Sequence, residues 1–273
     1  MTAPMTPVAH RVVERRQETQ DVVTLLLEAT DGSRLRYSAG QFNMLYAYRV
    51  GEVAISISAN PVGDGPVAHT VRDVGTVSHA LCGLRAGETL GLRGPFGSDW
   101  GLDSAEGRDL VIVAGGIGLA PLRSVITQII SERDRFGEVE VVIGARTQEE
   151  LAFRDEIEAW RQRHDLSVHV TVDRATGGWR GTVGVVTTVL PRIHCDPEAI
   201  ALICGPEVMM RFTALALLER GMPASQIRVS MERNMQCAVK QCGHCQLGST
   251  FICADGPVMT WDRVEPLLEV RQL

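Results

Sequence analysis

The 273-residue chain contains no run of roughly 18 apolar residues, the length a membrane-spanning helix needs. Its opening stretch, Met1 to His10, has no basic segment followed by an apolar one. No secretory signal is therefore read, and a cytoplasmic location is expected. There is no stripe of Lys or Arg, and the net charge is −6, so nucleic acid is excluded as an expected partner. The seven cysteines are an odd number in a signal-free chain, which argues against a disulfide framework. The dinucleotide fingerprint G-x-G-x-x-G is missing. So are internal repeats, low-complexity tracts and any defensible nucleophilic triad or acid–base pair. The histidines at 10, 69, 79, 164, 169 and 194 read as surface or locally hydrogen-bonding residues.

What is present is an ordinary globular composition. Hydrophobic residues make up 45%, charged residues 22%, and the mean hydropathy is +0.04. A chain of this length has enough apolar content for two or three domains, each with its own core. Residues 8–100 read as short strands: Val22–Leu27, Ile55–Ser58 with period two, His69–Val74 and Thr89–Arg93. Gly and Pro punctuate them at spacings that suggest an antiparallel barrel or sandwich.

The pattern changes near residue 105. Leu110–Ala114 reads as a buried strand running into Gly115-Gly116-Ile117-Gly118. Leu122, Val125, Ile126, Ile129 and Ile130 then fall on one helical face. Further strands are expected at Val139–Ile143, Leu166–Val172 and Ile200–Cys204, with helices over 149–163 and 206–220. Alternation of this kind implies a doubly wound parallel sheet. The glycine-rich turn can bring backbone amides and a helix N-terminus to a pyrophosphate, or it can be a plain tight connection. Arg146, just past the next strand, can pair a 2′-phosphate or simply be solvated. Cys204-Gly205-Pro206 opens another helix at the same carboxyl edge.

The tail carries Cys237, Cys242, Cys245 and Cys253, spaced C-x4-C-x2-C-x7-C. The opening matches plant-type ferredoxin spacing, in which four thiolates hold both irons of a [2Fe–2S] cluster. A structural Cys₄ zinc site is the main rival, and chance clustering of buried thiols is the bland alternative. From about residue 229 there is little room for a separate core.

Taken in order, Gly115–Leu122, Gly144-Ala145-Arg146 and Cys204-Gly205-Pro206 resemble the nucleotide motifs of the ferredoxin–NADP reductase superfamily. Cys242-Gly-His-Cys245-Gln-Leu-Gly and Cys253-Ala-Asp-Gly-Pro-Val narrow the likeness. They look like the gamma (diaphorase) subunits of cytoplasmic NAD(P)-linked [NiFe]-hydrogenases, with the flavin subunit of anaerobic sulfite reductase close by. The resemblance implies an FAD-binding barrel over residues 1–104, an NAD(P)-binding α/β domain over 105–228 and a [2Fe–2S] module over 229–273. It implies Ser56 near flavin N5 and Cys204 beside the nicotinamide. Ala54, Ile55, Thr70, Val71, Gly75, Thr76 and Ser78 become expected flavin contacts. Gly115, Gly116, Ile117, Gly118, Ala120, Pro121, Arg146, Gly205, Pro206 and Met209 become expected nucleotide contacts.

Two departures stand out. Val53 and Ile55 replace the Arg and the aromatic of the family's flavin motif, which leaves Ser78 and backbone amides to hold the flavin. Ala238 and Lys240 stand where the family commonly has glycine, so a different loop path is expected. The implied partners are an iron–sulfur subunit and the catalytic subunits of a redox complex, giving a hetero-oligomer. A zinc-stabilised, non-catalytic nucleotide-binding subunit is the reading from another class.

Overall fold

The computed structural model describes residues 5–268. Its first sheet is antiparallel and built from β1 (Val8–Gln17), β2 (Val22–Ala29), β3 (Phe42–Ala47), β4 (Gly51–Ser56), β5 (Val67–Arg72) and, after helix α1 (Thr76–Cys82), β6 (Thr89–Phe96). The strand order is β4-β3-β6-β1-β2-β5. A bridge between Ile57 and His69, with the Ser58 amide donating to Ala68 (2.9 Å), brings the two edges together. Inward-facing Val12, Leu25, Leu27, Leu45, Ile57, Val71, Leu90 and Leu92 fill the interior. The apolar run Val22–Leu27 marks β2, and β5 begins two residues before the expected His69 and ends two before Val74. The β4 strand ends at Ser56, two residues short of the expected Ser58. The chain then turns inward, burying Ile57 and Ser58 completely.

The second sheet comprises β7 (Leu110–Gly115), β8 (Val139–Ala145), β9 (Ser167–Val172), β10 (Thr182–Val183), β11 (Ile200–Cys204), β12 (Ile227–Ser230) and, beyond the small β13 (Gln246–Leu247) and β14 (Thr250–Phe251) hairpin, β15 (Val258–Thr260). Its order is β10-β9-β8-β7-β11-β12-β15. All pairings are parallel except β12 with β15. The order reverses between β7 and β11, which is the topological switch point of a doubly wound sheet. Helices α2 (Leu119–Ser131), α3 (Arg154–Arg161) and α4 (Glu207–Glu219) connect the strands; α5 (Ile252–Asp255) and α6 (Trp261–Leu268) belong to the tail. No helix among the described residues is long and apolar enough to cross a membrane.

Helix α3 begins later than the expected 149, because Gln148–Glu150 forms a single 3₁₀ turn. Phe153 then adopts a left-handed backbone (φ 58°) that buries its ring. The tail is not a separate layer. Cys245, Leu247, Ile252 and Cys253 share one core with Ile203, Val229 and Met259, and β15 extends the nucleotide-side sheet. A boundary at residue 229 therefore falls inside β12. Apolar content in the tail is too small for an independent core, so it borrows one.

Candidate cofactor site

The switch point is assembled from two strand ends. Register pairs Ala114 with Cys204 across β7 and β11, and Gly115 with Gly144 across β7 and β8. The β7–α2 turn and the β11–α4 turn therefore leave the same edge side by side. They touch: a Cβ on Gly118 would collide with the Cys204 carbonyl and the Gly205 amide nitrogen. Only glycine permits that approach. Met209, in the first turn of α4, lies against Gly115 and Gly205. Gly116, Pro206 and Arg146 are exposed at this edge, and Ile117 is half-buried. Ala120 and Pro121, by contrast, turn into the core in the first turn of α2. The Cys204 side chain is 2% exposed. Burial, reinforced by the charge of Glu232, pushes its thiol far above the ordinary range. It is therefore a neutral thiol and not a nucleophile.

On the barrel, Ala54, Ile55 and Ser56 are half-buried along β4. A fully buried histidine fixes this strand from behind. His69 Nδ1 lies 3.0 Å from the Ser56 carbonyl, and Nε2 lies 3.0 Å from the Asn43 amide nitrogen. The pair of contacts fits one neutral tautomer: Nδ1–H donates to Ser56, and Nε2 accepts from Asn43. Desolvation lowers the imidazole pKa to about 4. Thr70 and Val71 do not face the same way. The Thr70 hydroxyl is inside the barrel, 3.0 Å from both the Thr24 and Ser58 hydroxyls, and Val71 is wholly buried. Ser78 is occupied too. Its hydroxyl accepts the amides of Val74 (3.0 Å) and Gly75 (2.9 Å) and donates to the Gly75 carbonyl. It shapes the entry to α1, where Gly75 and Thr76 are exposed.

The cysteine loop closes beside both. Cys237, Cys245 and Cys253 are buried and Cys242 is exposed. Cys237 acts on the Cys242 thiol, and both Cys245 and Cys237 act on that of Cys253. Backbone amides favour the anionic form of Cys242, lowering it to about 7. Burial and the neighbouring Cys245 push Cys253 up to about 12. Among the described residues, the one group of three whose ligand atoms all lie within 4.8 Å is Asp109, Glu138 and His194, so no three of these sulfurs are that close. A single tetrahedral zinc would gather its sulfurs to about 3.8 Å from one another. Amides already aim at sulfur: Val239 (3.4 Å), Gln241 (3.3 Å) and Cys242 (3.4 Å) at Cys237, and Lys240 (3.3 Å) at Cys253. Ala238 and Lys240 take positive φ, 63° and 60°. Both positions thus lie in the region glycine favours, and holding a side chain there costs roughly 1–2 kcal/mol each.

Comparison with known proteins fits this arrangement. Residues 112–214 match the family model described as an oxidoreductase NAD-binding domain. The chain is 32% identical over 273 residues to sulfhydrogenase 2 subunit gamma of Pyrococcus furiosus, spanning 92% of this chain and 94% of that one. The chain belongs to the ferredoxin–NADP reductase superfamily. A second relative in this superfamily is the probable electron transfer subunit of dihydroorotate dehydrogenase B from Methanothermobacter thermautotrophicus, 33% identical over 94% of this chain and 89% of that one. Among solved structures, one described as an NADH-dependent reduced ferredoxin–NADP oxidoreductase that performs flavin-based electron bifurcation superposes with a TM-score of 0.74. It is 25% identical and covers 96% of this chain and 94% of that one. The superfamily's NAD(P)H-linked oxidoreductase chemistry is thus this chain's own class, and its two-sheet architecture matches the one described above.

Sequence reasoning missed one residue that joins the parts. Arg93 on β6 is 5% exposed. Its guanidinium grips both Glu52 oxygens on β4 (2.7 and 2.5 Å) and donates to the carbonyls of Gln236 (2.8 Å) and Cys237 (2.7 Å). One planar fork thus ties the Ser56 strand to the first cysteine. Nearby, Gly97 (φ 81°) packs so closely on Gly256 and Pro257 that a Cβ would collide, and the Ser98 hydroxyl donates to Val258 (2.8 Å). A buried-Arg signal was available in the apolar run Leu90–Phe96. Its partners, Glu52 at 41 residues and the loop carbonyls at 143 and 144, were not.

Proposed function

We propose that this chain is a diaphorase-type electron-transfer subunit that moves electrons between NAD(P)H, FAD and a [2Fe–2S] cluster. It exchanges them with an iron–sulfur partner subunit, most consistently that of a cytoplasmic [NiFe]-hydrogenase. The observation that carries the reading is a shared core. Ala54 of the barrel strand and Met209 of the nucleotide edge pack against the same apolar cluster that contains Ala238, Cys245 and Cys253. Three cofactor regions on one core is what a short electron path requires.

When bound, FAD accepts a hydride as an electron pair and the cluster passes electrons singly. The protein's own residues supply the rest. Gly115–Gly118 and Cys204–Pro206 would hold the pyrophosphate and nicotinamide at the switch point, with Arg146 free to meet a 2′-phosphate. Neutral Cys204 keeps a thiolate charge away from the nicotinamide. Ala54, Ile55 and Ser56 would line the flavin ring, with the exposed Thr76 at the start of α1 as the phosphate end. Val53 and Ile55 bring neither guanidinium nor aromatic ring, so the site depends on backbone more than the family motif does. Cys237, Cys242, Cys245 and Cys253 would together hold the two irons, two thiolates to each. The donor set of four thiols with inward amides suits iron–sulfur ligation. In this division residues 1–104, 105–228 and 229–273 serve flavin, nucleotide and cluster.

A second reading changes only the partner, to a sulfite reductase or a dihydroorotate dehydrogenase; likeness to the latter's electron-transfer subunits supports it. Anaerobic purification with partners retained, followed by metal, flavin and subunit identification, tests both. Co-isolation with a nickel-containing subunit is expected. A colourless, zinc-containing chain without flavin would overturn the relay in favour of a zinc-stabilised nucleotide-binding subunit.

A further inference from the structure

Lys240 is the only lysine in a chain whose other basic side chains of this kind are all arginine. It stands inside the cysteine loop, two residues before Cys242. Its backbone is left-handed (φ 60°), a conformation a side chain resists. That conformation aims the Lys240 amide at the Cys253 sulfur (3.3 Å). The side chain is equally committed. Its ammonium lies 3.0 Å from each Asp255 oxygen and 5.3 Å above the Phe251 ring. The same carboxylate accepts the Phe251 amide at 2.9 Å. Asp255 therefore joins residue 240 to the segment that carries Cys253, and both contacts hold its carboxyl below the usual range. Glycine at 240 would take the backbone freely but bring no tether.

We propose that Lys240 is a positioning residue for the cluster: its tether to Asp255 and Phe251 replaces glycine's conformational freedom and keeps the loop closed over Cys253. The inference rests on the reading that the four cysteines hold a [2Fe–2S] cluster. It does not depend on which partner receives the electrons.

The test uses the full chain, purified anaerobically, with iron and sulfide measured first. Iron release to a chelator and the EPR g-values of the reduced protein are then compared for the wild type, Lys240→Ala, Lys240→Gly and Asp255→Asn. Lys240→Ala keeps the backbone demand and loses the tether, so iron release is expected to rise about fivefold or more. Lys240→Gly should fall between it and the wild type. Asp255→Asn should move in the same direction, with altered g-values and unchanged flavin content. Selective acetylation of the assembled wild type, confirmed at Lys240 by mass spectrometry, covers the case in which Lys240→Ala fails to accumulate; it should also speed release. Wild-type rates and spectra in every altered form would overturn the proposal while leaving the cluster intact. A wild type with no iron would overturn both.

Discussion

The edge between β7 and β11 and the cysteine loop both hold backbone in close approach, by opposite means. At the edge, close approach is written into glycine: Gly118 meets the Cys204–Gly205 turn with no room for a Cβ. In the loop, the strained positions carry Ala238 and Lys240, and side chains hold the shape. Arg93 with Glu52 secures the carbonyl side at Gln236 and Cys237; Lys240 with Asp255 secures the side facing Cys253. One site is pre-formed by what the backbone allows. The other is strapped into place by ion pairs, one buried and one half-exposed. Each breaks by a different single substitution: the turn by any added Cβ, the straps by loss of one charged partner.

The sharpest way to break this contrast is Arg93→Gln. It leaves Glu52 without its partner and removes the donors to two loop carbonyls. A loss of about 3–5 kcal/mol is expected, the usual range for breaking a buried pair. Chemical denaturation should record it, together with a lower iron content. A variant of wild-type stability that retains its iron would show that the loop needs no anchor on the barrel.

The barrel side of the comparison responds to pH. The folded value for His69, about 4, lies below its ordinary 6.5, because burial favours the neutral ring. Its contribution is fully present above about pH 6.5 and is lost as pH falls towards 4, by up to about 3 kcal/mol. Denaturation midpoints should drop over that interval, since the incoming proton occupies Nε2 and ends its acceptance of the Asn43 amide, while Nδ1–H still donates to Ser56. His69→Gln should flatten the dependence. Midpoints independent of pH in the wild type would contradict the role given to this histidine.

The smallest effect is expected at the edge. Arg146 is exposed just past β8, and the proposed function gives it the 2′-phosphate. Arg146→Ala should raise KM for NADPH about tenfold, the worth of one exposed charge-assisted contact, and leave NADH nearly unchanged. Equal effects on both nucleotides would remove the 2′-phosphate assignment.

How much of this was legible follows the same division. Period-two strands, the apolar β7 run into glycine and the cysteine spacing are local patterns, and each marks its element. Less was visible where the outcome depends on distant contacts. Strand β1 has four charged residues in ten and a bulge between Val12 and Glu14, so its alternation is broken. Helix α3 starts late because Phe153 takes a left-handed turn to reach the core. Thr70 looks available for a ligand, yet it completes a hydroxyl chain inside the barrel. Ser78 looks like a phosphate ligand, yet it is used by its own turn. Arg93 and Lys240 find their partners only after the chain has folded back on itself.

The central claim is that nicotinamide electrons leave this chain through a two-iron cluster held by four cysteines. Stepwise anaerobic titration with NADH and NADPH, followed by EPR on a sample of known iron and sulfide content, tests it most directly. The account predicts equal iron and acid-labile sulfide, with a [2Fe–2S] signal that grows as reduced nicotinamide is added. Zinc in place of iron, or a cluster that reduced nicotinamide leaves oxidised, would contradict it.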